Sequence, residues 1–268
     1  MIAMPTPGTG RLNNETLRLA WYQFRSTWRR RWPGYLSLAL LIGLVGGLAM
    51  GSVAAARRTD SSFHVFLDST NYSELSGVTG VLNPQAGLAG YDPAIVSKIV
   101  HLPLVKKIES QAGVNIMPLL PDGAPRDVPG YFSPGPGNGY GSVDGAFFDI
   151  DRVTVVKGRM ADPRHADEIM LSAGAAAALH VGVGSLIWMG IYTNSQTQLP
   201  AFGTPKVKPY KVVDMRVVGI DVANSQVIED DVDKGNSADT DLLTPAFTRP
   251  LLRCCVNYTG SAVQVDGG

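Results

Sequence analysis

Twenty-five consecutive residues without a charge, Trp32 to Ala56, limit what this 268-residue chain can become. At about 1.5 Å of helical rise per residue the run covers roughly 37 Å, more than the ~30 Å hydrocarbon core of a bilayer. Arg11, Arg18, Arg25, Arg29, Arg30 and Arg31 precede it, Arg57 and Arg58 follow it, and the next basic residue is Lys98. Basic residues close to a span stay in the cytoplasm, so this asymmetry predicts residues 1–31 inside, a transmembrane helix over 32–58 and residues 59–268 outside the cell membrane. A cleaved signal peptide would have an apolar core of only about 7–15 residues, so the run reads as an uncleaved anchor. Pro33 and Gly34 stand where a twin-arginine signal has bulky apolar residues, which leaves Arg29-Arg30-Arg31 as a topology signal.

Two patterns in and before the span point to neighbours. Gly43, Gly47 and Gly51 recur every four residues, and two overlapping small-xxx-small motifs on one helix face predict close approach of a partner helix. Upstream, Leu17, Trp21, Phe24 and Trp28 fall at helical spacing, with Arg18, Arg25 and Arg29 on the flanks. An aromatic stripe edged by arginine belongs in the cytoplasmic interface of a membrane. Trp21, Phe24, Trp28, Arg29, Arg30 and Arg31 are therefore expected at the lipid headgroups.

Beyond the span about 210 residues remain, enough for one sizeable core or two small lobes. The 23 basic and 23 acidic residues cancel, which leaves no electrostatic footprint for nucleic acid outside the juxtamembrane arginines. Those are explained by topology and anionic lipid. Cys254 and Cys255 are adjacent. An ordinary disulfide needs Cα atoms about 5.5 Å apart, whereas consecutive Cα atoms lie about 3.8 Å apart, so buried free thiols are expected.

Along the outer part, helix is expected to continue through Phe63, Phe66 and Leu67, followed by a strand over 77–82. Asp92-Pro93 then opens a helix whose Ile95, Ile99 and Leu102 predict a buried side, ended by Pro103. The apolar run 113–120 reads as a strand, and the Pro/Gly-rich segment 121–145 as a surface loop. From 153 onward the pattern is regular: strand 153–156, a turn over 158–163, strand 167–172, an alanine-rich helix to Leu179, a turn at 181–184, strand 185–192 and strand 210–221. Ile169 to Ile191 is also uncharged apart from His180, but its glycines and serines favour strand–helix–turn–strand over a second span.

Catalytic signatures are lacking. The sequence holds no HExxH, GxSxG or GxxxxGK[ST] and no Cys/His cluster at metal spacing, so neither a metal nor a nucleotide cofactor is predicted. His64, His101, His165 and His180 stand alone. The acidic run Glu229-Asp230-Asp231-Val232-Asp233 lacks the ligand alternation and the closing glutamate of an EF-hand and reads as a solvated loop. Asn71-Tyr72-Ser73 and Asn257-Tyr258-Thr259 are glycosylation sequons.

The order of features carries more than any one of them. An aromatic, basic helix, then an apolar span ending Ala54-Ala55-Ala56-Arg57-Arg58-Thr59-Asp60-Ser61, then Gly158-Arg159, Asp162-Pro163, Asp167-Glu168, a short Ala/Leu helix, Val181-Gly182-Val183-Gly184 and Val217-Val218-Gly219-Ile220 resembles the first part of FtsX-like, MacB-type ABC transporter permeases, actinobacterial members in particular. The resemblance covers residues 15–250 and implies a non-enzymatic permease subunit whose MacB-like extracytoplasmic core domain couples the motion of a separate ATPase subunit to an outside substrate or partner. Gly158, Arg159, Asp167, Glu168, Gly182, Gly184 and Gly219 are its motif residues here. Such permeases carry three further transmembrane helices, so the chain is expected to be a fragment or a truncated relative, completed by those helices or by a second permease copy. The fold implied is α+β: an N-terminal interfacial helix and a single transmembrane helix followed by a mixed α/β extracytoplasmic domain of two small lobes. A single-span anchored binding or sensor module is the alternative that topology leaves open.

Overall fold

The computed structural model describes residues 14–81, 91–126, 139–224 and 241–266. It divides into a unit ending at Phe63 and a second unit, His64–Gly268. Helix α1 runs from Asn14 to Thr70 and includes Pro33; its last turn belongs to the second unit. The predicted interfacial segment, span and stalk are thus one element. Every described side chain from Arg31 to Ser62 is exposed, including Leu44, Leu48 and Met50. Within α1 the window beginning at Arg31 is long and apolar enough to cross a membrane.

The second unit is built on a mixed sheet. Its strands are β1 (Leu75–Val81), β2 (Val105–Val114), β3 (Ile116–Pro118), β4 (Gly139–Ser142), β5 (Thr154–Gly158), β6 (Glu168–Ser172), β7 (Leu186–Ile191), β8 (Lys211–Val222), β9 (Asp241–Leu243) and β10 (Val256–Val265). Among the described residues they form a single sheet in the order β1-β10-β2-β4-β9-β6-β8-β7-β3, with β5 on β8. Helices α2 (Pro93–Val100), α3 (Ala173–Leu179), α4 (Asn194–Thr197) and α5 (Pro245–Thr248) complete it.

Strand β6 shows why the sheet is apolar on both faces. It lies between β8, parallel, and β9, antiparallel, and all five of its residues are buried. Ile169 and Leu171 enter one core with Val114, Ile116, Met189, Met215 and Leu243, covered by Ala175, Ala176 and Leu179 of α3. Met170 points the other way, into a smaller core with Val153, Ala161, Val218 and Leu242. Alternate residues of a strand face opposite sides, so a strand covered on both reads as a continuous apolar run. The two lobes expected from sequence share this sheet, with one core on each face.

Three expectations need correction. Helix α2 is capped by Asp92, whose carboxylate accepts from the Ala94 amide at 2.8 Å, but none of its residues is buried; apolar periodicity gives a helix a face without fixing what covers it. The Pro/Gly segment contains strand β4, because the sheet is crowded there. A Cβ on Gly139 would lie 2.7 Å from Ile116 Cδ1, and one on Gly141 would lie 2.4 Å from Thr248 Oγ1. Glycine in this strand reflects close packing on both sides. Finally, Cys254 and Cys255 are disulfide-bonded to each other, with Cα atoms 3.7 Å apart. The separation that excludes an ordinary cross-link is compatible with a small ring closed within one dipeptide. The acidic run 229–233 and residues 127–138 lie outside the described residues.

Candidate functional site

Most of the motif residues singled out in the sequence converge where β5, β6 and β8 meet. Gly158 ends β5 with φ +80°, and a Cβ there would stand 2.4 Å from the Val218 carbonyl oxygen. Across the same junction, a Cβ on Gly219 would stand 2.3 Å from the Arg159 carbonyl oxygen. Only glycine admits the positive φ and this backbone-to-backbone approach together. The Arg159 amide donates to the Val218 carbonyl at 3.0 Å. Its guanidinium reaches both Glu168 oxygens, at 2.9 and 2.5 Å, and the Asp162 amide donates to Glu168 Oε2 at 2.8 Å.

Glu168 is buried, and the Arg159 guanidinium holds its carboxyl below the usual carboxylate range. Nearby, hydrogen bonds from Arg164 take the Asp162 carboxyl down to about 2. The Gly184 amide donates to Val217 at 2.7 Å, and the Gly182 amide to Ser185 Oγ at 3.2 Å. The turn between them brings Val183 over Gly158. Asp167 stands apart: its carboxylate is 70% exposed and faces His165 at 3.7 Å. The buried Glu168 is paired with Arg159, so the motif fastens strands together.

The predicted interface residues lie in the first unit. The rings of Trp21, Phe24 and Trp28 stack in succession at centroid separations of 5.9 and 5.5 Å, and Trp28 continues to Trp32 and Tyr35. The side chains of Arg29 and Arg30 lie outside the described residues, and Arg31 is exposed. Gly43, Gly47 and Gly51 have open space where a Cβ would be.

The second unit contains a cluster that the sequence reading missed. The last turn of α1 is clasped by residues 149–152. Arg152 donates from its amide to the Thr70 carbonyl (2.8 Å) and from its guanidinium to the Ser69 carbonyl (2.8 Å). The Asp151 amide donates to the Asn71 carbonyl (3.1 Å), and Asn71 Nδ2 donates to the Asp149 carbonyl (2.8 Å). The Asp151 carboxylate takes both the amide and the hydroxyl of Ser73, at 2.9 and 2.7 Å. Asn71 and Asp151 hold φ values of +53° and +51°, a conformation their short polar side chains tolerate better than most.

The clasp is held from two further strands. Gln264 of β10 donates to Asn71 Oδ1 at 2.9 Å, and Glu74 accepts from the Val265 amide at 3.1 Å. On β2, the buried Glu109 accepts from the Ile150 amide at 3.0 Å and pairs with Lys107 at 2.7 Å. Lys107 also pairs with Asp149, and the two carboxylates push its ammonium pKa up. Glu109 and Asp149 line an open groove of about 440 Å³ with Asp144, Phe148, Arg164 and Arg249. Burial raises the Asp144 carboxyl even though it accepts from the Ser110 amide. The faint signal for all this was the run Asp149-Ile150-Asp151-Arg152, three charged residues in four with no apolar period to explain them.

His101 Nδ1 lies 2.6 Å from the Ser97 carbonyl on its own helix, and His180 caps α3 in the left-handed region. Among the described residues no three His, Cys, Asp or Glu side chains are placed to hold a metal ion.

No protein-family model matches the chain, and no curated protein is a significant match. Solved structures similar to it include the extracellular domain of the noncanonic ABC-type transporter YknZ from Gram-positive bacteria, at 12% identity and TM-score 0.38 over 69% of this chain and 78% of that one. The periplasmic region of MacB from Actinobacillus actinomycetemcomitans is similar at 9% identity and TM-score 0.38, over 72% and 76%.

Proposed function

We propose that this chain is a permease subunit, or the N-terminal part of one, of an ABC transporter of the FtsX/MacB type. In this reading α1 is anchored in the cell membrane with its N-terminus in the cytoplasm, and residues 59–268 form the extracytoplasmic core domain. The chain is not an enzyme. A separate ABC ATPase drives it, and a second permease copy or further transmembrane helices complete it. The clasp is the observation that carries the reading: the end of an apolar helix of spanning length is bonded at once to residues 149–152 and to β10. Movement of Thr70 and Asn71 is then delivered to β2 through residues 149–152 and the Glu109 carboxylate, and to β10 through Gln264. The order of motifs beside the span supports the same family.

The test is affinity capture of the tagged full-length chain from native membranes after mild cross-linking. The reading expects an ATPase polypeptide with phosphate-loop motifs in the captured complex, an ATPase rate that changes with Asp151→Asn, and no ATP hydrolysis by the chain alone. Capture of the chain without any ATPase would overturn it in favour of a single-span anchored binding or sensor module.

A further inference from the structure

The bond between Cys254 and Cys255 is ill suited to stapling the fold. Disulfides stabilise largely by closing a loop in the unfolded chain, and the benefit grows with loop length. Here the paired residues are neighbours, so no intervening chain is constrained. What the bond does fix is the conformation of one dipeptide, and both carbonyls of that dipeptide are in use. The Cys254 carbonyl accepts from the Asn194 amide at 2.8 Å, and the Cys255 carbonyl accepts from the Asn115 amide at 2.9 Å. The two asparagines are joined in turn, Asn115 Nδ2 donating to Asn194 Oδ1 at 2.8 Å. Asn115 is 1% exposed and also takes the Tyr192 amide on its own carbonyl at 2.9 Å. One dipeptide therefore positions the corner between β2 and β3 and the N-terminus of α4.

We propose that Cys254–Cys255 is a thiol–disulfide exchange site, and that its reduction by a dithiol releases the Asn115 and Asn194 segments. The two sulfurs differ in access: Cys255 is fully buried and Cys254 is partly exposed. A thiolate of the dithiol attacks Cys254 Sγ, the S–S bond breaks, and Cys255 leaves as a thiolate that takes up a proton. The second thiol of the dithiol then attacks its own sulfur in the mixed disulfide and releases Cys254 as a thiol. Two electrons and two protons pass to the cysteine pair, and the dithiol becomes a disulfide. With the ring open, the peptide between the cysteines is no longer held in a cyclic conformation. The Cys254 carbonyl, within the former ring, and the Cys255 carbonyl, just outside it, then turn independently, and their amide partners lose protection.

The experiment uses the full-length chain in detergent micelles, oxidised or treated with dithiothreitol, followed by alkylation with iodoacetamide under denaturing conditions and by amide hydrogen exchange. Without reductant neither cysteine is alkylated and the chain runs as a monomer on a non-reducing gel; after dithiothreitol both are alkylated. Reduction raises amide exchange around Asn115 and Asn194 by about fivefold, the effect of losing one net backbone hydrogen bond, while exchange in β6 stays unchanged. Cys254→Ser shows the fast exchange from the start and does not respond to dithiothreitol. Should that variant misfold, the wild-type comparison alone decides the matter. Alkylation of both thiols without reductant, a disulfide-linked dimer, or exchange that reduction leaves unaltered would each overturn the proposal.

Discussion

Residues 32–56 and 169–191 are both long and nearly free of charge, yet they reach opposite ends. The first lies within α1, with every described side chain exposed. The second folds as β6, α3 and β7, with Ile169, Met170, Leu171, Leu179 and Met189 at 1% exposure or less. What separates them is punctuation. Ser172 caps α3 by accepting from the Ala175 amide at 3.0 Å, His180 ends it at φ +53°, and Gly184 turns the chain at φ +92° into β7. The first run also holds Pro33, glycines and serines, but α1 continues through all of them. An apolar run without turns buries nothing of its own and needs lipid or another helix, whereas one broken every few residues folds back and fills a core.

Disturbing the core run should cost far more than disturbing the exposed one. The largest effect is expected at Gly219, where a Cβ would lie 2.3 Å from the Arg159 carbonyl oxygen. The opposing atom is backbone, so it cannot swing aside and β5 must separate from β8. Gly219→Val should lower the stability of the second unit by on the order of 4–5 kcal/mol, the upper end for single substitutions. Urea unfolding followed by near-ultraviolet circular dichroism measures this. A loss below about 1 kcal/mol would show that the junction is not tightly closed.

Asp221 offers the next largest effect and a sign to check. It is 2% exposed, its Oδ2 has no hydrogen-bond partner among the described residues, and burial pushes its carboxyl up to about 7. An unfolded aspartate titrates near 3.9, so between these values the folded state holds the extra proton. Stability from this group is therefore fully present below about pH 4, falls as pH rises through that window, and is flat above it. The total fall should be about 2–4 kcal/mol, converted from the shift. Asp221→Asn should flatten the profile and leave the protein more stable than wild type at pH 8. Parallel profiles for the two proteins between pH 5 and pH 8 would contradict the assignment.

The same contrast shows what the sequence made legible. Elements that announce themselves locally were readable: Ser172 and Gly184 mark α3 and β7 by capping and turn chemistry, and the uncharged length of 32–56 marks α1. The motif residues Gly158, Arg159, Glu168 and Gly219 could be named, although their meeting across β5, β6 and β8 depends on strand order. The clasp was illegible because its bonds join Asn71 to Asp149 and Gln264, partners 78 and 193 residues away. No periodicity records such pairings. Strand β4 was hidden for another reason: the glycines that allow close packing in a crowded sheet are the residues that mark turns elsewhere.

A middling effect should come from the clasp. Asp151→Asn keeps a residue that tolerates φ near +51° but removes the charge that holds the Ser73 amide and hydroxyl. Hydrogen bonds to a charged group contribute about 1.5–3 kcal/mol, and one acceptor oxygen survives, so a loss of about 1–2 kcal/mol is expected. Amide exchange should rise around Asn71–Glu74 and stay unchanged in β6. If the loss instead spread evenly over the sheet, the clasp would be part of the global core and no separate fastening of the helix end.

The smallest effect, and the one that tests the exposed run itself, belongs to Gly47. In a stretch of α1 whose described side chains from Arg31 to Ser62 are all exposed, a Cβ at Gly43, Gly47 or Gly51 meets nothing, so substitution there should leave the unfolding of the second unit untouched. The cost should appear only in assembly. If a second helix packs on the glycine face, Gly47→Leu separates two backbones at their closest crossing and weakens association by about 1–2 kcal/mol, or roughly tenfold, within the range measured between membrane helices. Leu44→Ala serves as the control, because it changes bulk without filling the groove. Association of the 30–58 segment and of the full-length chain in bilayers, measured by energy transfer between labelled copies, reads this directly. Loss of assembly with unchanged stability of the second unit would show that the two apolar runs serve different partners, one another helix and the other the sheet. Equal association for Gly47→Leu and wild type would place lipid against the glycines and leave α1 as an anchor alone.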